Sequence, residues 1–122
     1  MLLDTSAWIE LFSVGPRSGQ IEGMLTKQTA MCPLSFAEVS HWCVKNNRNP
    51  LDFVAFVKNS FAVLELNTEI LIRSGKVYVE ERKRNGKISL IDAIVYATAR
   101  YHGLELLTLD RDFVGMEGVQ LL

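Results

Sequence analysis

Short apolar runs that break off at a polar residue alternate along the whole chain with stretches of helical period. Met1-Leu2-Leu3 stops at Asp4, Thr5 and Ser6, which reads as a strand entering a helix over Ala7–Phe12, with Thr5 or Ser6 as N-cap. Ser18–Lys27, Ser35–Lys45, Leu51–Asn59, Thr68–Asn85 and Ser89–Tyr101 read as helices, and Gly86 is the expected stop of the longest. Between them, Thr29–Leu34, Phe61–Leu66, Leu104–Leu109 and a short Val119–Leu122 read as strands. Strands that alternate with helices predict an α/β fold, with a mainly parallel four- to five-stranded sheet covered by helices on both faces. At 122 residues with no linker or repeat, one domain over 1–122 is expected.

Composition narrows the function classes. Hydrophobic residues at 48% and charged residues at 22% suit a globular chain rather than a disordered one. No apolar run reaches ~18 residues and no basic segment leads into one, so neither a membrane span nor a secretory signal is expected. Cys32 and Cys43 lack metal-ligand spacing and read as reduced, buried thiols of a cytoplasmic protein. The net charge of −1 argues against a generally basic nucleic-acid coat, yet it hides an asymmetry. Arg73–Lys87 holds six basic and two acidic residues, a local +4.

In an open parallel sheet, ligands bind beyond the carboxyl ends of the strands. Asp4 and Asp110 directly follow two expected strands, and Glu38 and Asp92 lie in the first turns of two helices. Each acid also has a purely structural explanation. Ser35-Phe36-Ala37-Glu38 and Ser89-Leu90-Ile91-Asp92 both fit a capping box, and Asp110 suits the cap of a short turn. Acids that do converge repel one another, and a cation relieves that repulsion. Oxygen ligands without His or Cys favour Mg²⁺ or Mn²⁺, ions that activate water and shield a phosphodiester under attack.

Leu3-Asp4-Thr5-Ser6, Ser35-Phe36-Ala37-Glu38-Val39, Leu90-Ile91-Asp92-Ala93 and Leu107-Thr108-Leu109-Asp110-Arg111-Asp112-Phe113 occur in an order that resembles a PIN domain. More narrowly, the chain resembles the VapC-type ribonuclease toxins of toxin–antitoxin pairs. That resemblance implies a three-layer domain and a metal-dependent endoribonuclease. Asp4, Glu38, Asp92 and Asp110 would form the catalytic acidic pocket that binds Mg²⁺ or Mn²⁺. Asp112 would support the pocket from behind, and Thr5, Ser6 and Thr108 would orient its carboxylates. The partners implied are an RNA substrate, a cognate antitoxin whose segment fills the active-site groove, and a second copy in a homodimer.

Arg82, Lys83, Arg84 and Lys87 read equally as an arm for substrate phosphates or as a solvated helix end. Trp8, Phe12, Trp42 and the Leu51–Val57 stretch supply more apolar surface than a core stripe requires, so some of it is free for a partner. His41 and His102 read as surface or capping residues. Two other functions compete. A phosphoacceptor signalling domain shares the length and alternation, but here Asp4 stands alone and no Lys lies in Leu104–Leu109. A catalytically inactive PIN-like binding module would not need all four acids.

Overall fold

Successive residues of a strand face opposite sides of a sheet, so a strand covered on both sides is apolar at every position. A computed structural model describes residues 1–122 and places such strands at β1 (Leu2–Leu3) and β2 (Ala30–Met31), while β4 (Leu106–Thr108) is equally buried but ends on the polar Thr108. The outer strands are β3 (Ala62–Val63) and β5 (Val119–Leu121). The helices are α1 (Thr5–Phe12), α2 (Ser18–Met24), α3 (Leu34–Lys45), α4 (Pro50–Ser60), α5 (Thr68–Arg84) and α6 (Leu90–Tyr101). All neighbouring strands pair in parallel, in the order β3-β2-β1-β4-β5. This is the expected α/β architecture, with all five strands in one sheet.

The strand alternation builds two cores. Leu3, Met31 and Leu107 point to one face, where they meet Trp8, Val39, Phe53 and Val57 of α1, α3 and α4. Leu2, Ala30 and Leu106 point to the other, against Ala93, Val95 and Ala99 of α6. On the first face Trp8 is fully buried and meets Phe61 edge-on at 5.0 Å and Phe53 at 6.2 Å. Such edge contacts favour the aromatic quadrupoles in addition to burying area. Cys32 and Cys43 are free and buried, and no helix is long and apolar enough to cross a membrane.

Local expectations give way at several places. The second strand pairs only at Ala30–Met31 rather than over Thr29–Leu34, because Leu34 already opens α3, and α2 ends at Met24 rather than Lys27. Asp4, rather than Thr5 or Ser6, occupies the N-cap position of α1, and its side chain makes no cap bond. Both hydroxyls fall inside the first turn because distant partners claim them. The capping box expected at Ser35–Glu38 is absent: α3 starts at Leu34 behind Pro33, and Glu38 accepts from Thr5 instead. The third strand pairs only at Ala62–Val63, far short of Phe61–Leu66, and its residues are exposed at the sheet edge. Elsewhere local chemistry decides the outcome. Ser89 and Asp92 form a reciprocal capping box, each bond 3.0 Å, and Gly86 takes φ 73° just after the Asn85 C-cap of α5.

Candidate active site

From β1 the chain steps to β2 and then β3, and afterwards returns to place β4 on the other side of β1. The order therefore reverses between β1 and β4, and a crevice opens at the carboxyl ends of these two strands. The register pairs Leu3 with Leu107, so the next residues, Asp4 and Thr108, stand side by side at its floor.

Asp4 is only 3% exposed, yet its carboxylate is well partnered. Thr108 Oγ1 donates to Asp4 Oδ2 at 2.8 Å, and Ser6 Oγ donates to the same oxygen at 3.1 Å. Each hydroxyl in turn accepts from the backbone that follows β4: Asp110 N–H donates to Thr108 at 3.0 Å, and Leu109 N–H donates to Ser6 at 2.9 Å. Asp4 is thereby tied through two side chains to the turn that carries the next acids. Burial pushes the Asp4 carboxyl up to about 6; the Thr108 and Thr5 bonds oppose this, and the Asp92 charge adds to it.

Asp110 caps the 3-10 turn Arg111–Phe113 by accepting from Asp112 N–H at 2.9 Å. This fold of the chain sets Asp112 beside Asp110, and the first turn of α6 brings Asp92 to them. Carboxylate oxygens of Asp92, Asp110 and Asp112 all lie within 4.8 Å of one another. Burial raises the Asp92 carboxyl above its ordinary range, and the Asp110 and Asp112 charges raise it further, against the opposing Ser89 bonds. In the capping box Asp92 uses Oδ2, which leaves its other oxygen for the cluster. For Asp92 the capping bond and its place in the cluster are thus compatible.

The sequence placed four acids in one pocket. The structure brings Asp92 and Asp110 together and adds Asp112, which had been expected only behind them. Asp4 lies outside that group of three, its charge opposed by that of Asp92, and Glu38 is held by Thr5 Oγ1, which donates to it at 2.6 Å. Thr5 Oγ1 also lies 3.0 Å from Ser35 Oγ, which links α1 to α3 below the site.

The basic stretch ends against the same turn. Asn85 Nδ2 donates to the Asp112 carbonyl at 2.9 Å, and Arg84 donates to the Val114 carbonyl at 2.8 Å and to Glu81 at 2.7 Å. Arg82 reaches the Ile88 carbonyl at 3.3 Å and lies over the Tyr78 ring. Of the four residues expected to hold substrate, Arg84 is bound to the acidic turn and Arg82 to the segment ahead of α6, whereas Lys83 and Lys87 are exposed and make no ion pair. Asn85 carried no signal in the sequence beyond its place at a helix end.

The PIN domain family model matches residues 1–118, a span that contains every acid described above. The chain belongs to the PIN domain family. Among curated proteins, it is 32% identical over 82 residues to Ribonuclease VapC1 of Rickettsia felis. That match takes in 63% of this chain and 61% of the relative. A toxin–antitoxin complex from Klebsiella pneumoniae contains a chain that is 31% identical, with a TM-score of 0.76 over 98% of this chain and 94% of that one. VapC20 of Mycobacterium tuberculosis, a toxin that cleaves the sarcin–ricin loop, shares the fold at 18% identity. Its TM-score is 0.78 over 95% of this chain and 94% of the other.

Proposed function

We propose that this PIN domain is an Mg²⁺- or Mn²⁺-dependent endoribonuclease and the toxin of a VapBC-type pair, restrained by a cognate antitoxin. The observation that carries this reading is the convergence of Asp92, Asp110 and Asp112 at the strand-order reversal, with Asp4 buried beside them. The donor set fits a hard divalent cation, being all carboxylate oxygen with no His or Cys in the group. When bound, such a cation supplies Lewis-acid stabilisation of charge on a phosphodiester. Asp92, Asp110 and Asp112 would hold it, Asp4 would add negative charge from the floor, and Ser6 and Thr108 keep Asp4 fixed. The ribonuclease and toxin–antitoxin relatives support RNA as the substrate and an antitoxin as the partner.

Purified protein is expected to cut labelled RNA with Mn²⁺ or Mg²⁺, to stop on addition of chelator, and to resume when excess metal is returned. RNA that stays intact under all metal conditions refutes the nuclease assignment.

The basic end of α5 would hold flanking phosphates, mainly through Lys83 and Lys87. Charge reversal at each is expected to lower the salt slope of log RNA affinity by ~0.7. Binding should weaken alike across RNA sequences, because phosphate contacts do not read bases. Arg84→Glu is expected to disturb the acidic turn as well, since it breaks the bond to Val114. Affinities measured in chelator at several salt concentrations check this. Parallel slopes for wild type, Lys83→Glu and Lys87→Glu would return the stretch to a solvated helix end.

A further inference from the structure

Beside the acidic cluster lies an open groove of about 590 Å³, with α3 as one wall. Leu34, Ala37, Glu38, His41, Trp42 and Lys45 all line it, a spacing that puts one unbroken stripe of α3 toward the opening. Ile91, the residue before Asp92, and Thr5, the residue after Asp4, line it as well, so the groove neighbours the acidic site although Asp4, Asp92, Asp110 and Asp112 do not line it. Its chemistry changes along its length. Glu38 stands at the site end, the half-buried indole of Trp42 one turn further, and exposed Lys45 at the far end. Glu38 and Lys45 are seven residues apart, roughly 10 Å along the helix axis. The indole is braced rather than free: the Arg48 guanidinium carbon lies 5.1 Å from its ring centroid, while the ring still lines the groove.

We propose that this groove is a nucleotide subsite beside the bond to be cut, in which Trp42 stacks an unpaired RNA base and Lys45 contacts a neighbouring phosphate. The inference rests on the nuclease reading and adds where the strand leaves the acidic cluster. Charge order favours this occupant: the strand passes from the acidic centre, where its reacting phosphate would meet a cation, to a lysine that repels nothing on RNA. A flat aromatic surface between the two accepts any base on its π-face, which single-stranded nucleic acid offers and a duplex does not. Because Trp42 reads a face rather than an edge, its contribution falls on affinity for unpaired bases.

The test uses the metal-free full chain in chelator and a short single-stranded RNA that wild type cuts in Mn²⁺. A series of the same RNA carries an abasic nucleotide at each position in turn. Trp42→Leu is expected to lose roughly 10-fold or more in affinity for intact RNA, and Trp42→Phe to recover most of it. For wild type, one abasic position should produce a matching loss, and at that position Trp42→Leu should no longer distinguish abasic from intact RNA. Lys45→Glu should weaken binding and lower the salt slope by ~0.7. Wild-type affinity that ignores every abasic substitution overturns the subsite, whether or not Trp42→Leu folds. So does a Trp42→Leu loss of equal size on intact RNA and on every abasic RNA, which marks a merely structural indole. RNA affinity unchanged in Trp42→Leu and Lys45→Glu also overturns it and leaves the groove to a protein partner. Each of these failures leaves wild-type cleavage in Mn²⁺ intact, whereas failure of the nuclease reading removes that cleavage.

Discussion

Asp4→Asn is expected to reduce RNA cleavage about 100-fold or more and, at the same time, to make the metal-free protein more stable. The amide keeps the volume and can still accept from Ser6 and Thr108, so the bonds that anchor the turn after β4 survive. What disappears is a buried negative charge. The carboxyl rises from its ordinary 3.8 to about 6 in the fold, which corresponds to about 3 kcal/mol against the ionised form. Asp4 therefore holds its proton more tightly folded than unfolded. Its contribution to metal-free stability is largest below about pH 4, declines as pH rises to about 6, and is lost above that. Denaturant titrations in chelator should show wild type losing stability relative to Asp4→Asn across this window, with the gap constant above it. A variant that cuts RNA as wild type does would remove Asp4 from the chemistry, and a gap independent of pH would remove the buried charge.

Divalent metal is expected to raise the melting temperature of wild type, because it binds folded protein and neutralises acids that repel one another. At ~100 times its dissociation constant, the gain is about 2.7 kcal/mol. Asp92→Asn, Asp110→Asn and Asp112→Asn should each remove most of this shift while leaving the metal-free protein folded. Asn can still accept the Ser89 N–H at position 92 and the Asp112 N–H at position 110, so neither helix cap is lost. Asp112→Asn is the decisive member. A direct ligand loses as much of the shift as Asp110→Asn, whereas a residue that only supports the pocket loses little. If Mg²⁺ and Mn²⁺ at millimolar levels leave the melting curve of wild type unmoved, the three acids do not act as one site.

Legibility in the sequence followed the range of the interaction. Strand and helix alternation, the Ser89–Asp92 box and the Gly86 stop depend on residues a few positions apart, and each appears where its local chemistry places it. Thr5 and Ser6 were misplaced for the complementary reason. Both have the right side chains for an N-cap, but Ser6 meets Thr108 across 102 positions and Thr5 meets Glu38 across 33. A hydroxyl used to fix a buried carboxylate is not available to cap a helix. Glu38 left its expected capping box through the same competition.

By itself, the sequence determined which acids exist and that most of them follow strands or open helices, because apolar runs must end where the chain leaves a covered sheet. It also determined that these acids come in the order characteristic of PIN domains. The sheet order, which puts β4 against β1, decided that Asp4 stands beside Thr108, and the 3-10 turn after β4 decided that Asp112 joins Asp92 and Asp110. The groove on α3 belongs to the same class: the spacing of Glu38, Trp42 and Lys45 was present in the chain, but only the packing of α1 and α6 leaves that stripe uncovered beside the acids. Charge neighbours and exposed faces are properties of how elements meet, and a pattern read along one element carries no term for the element that covers it.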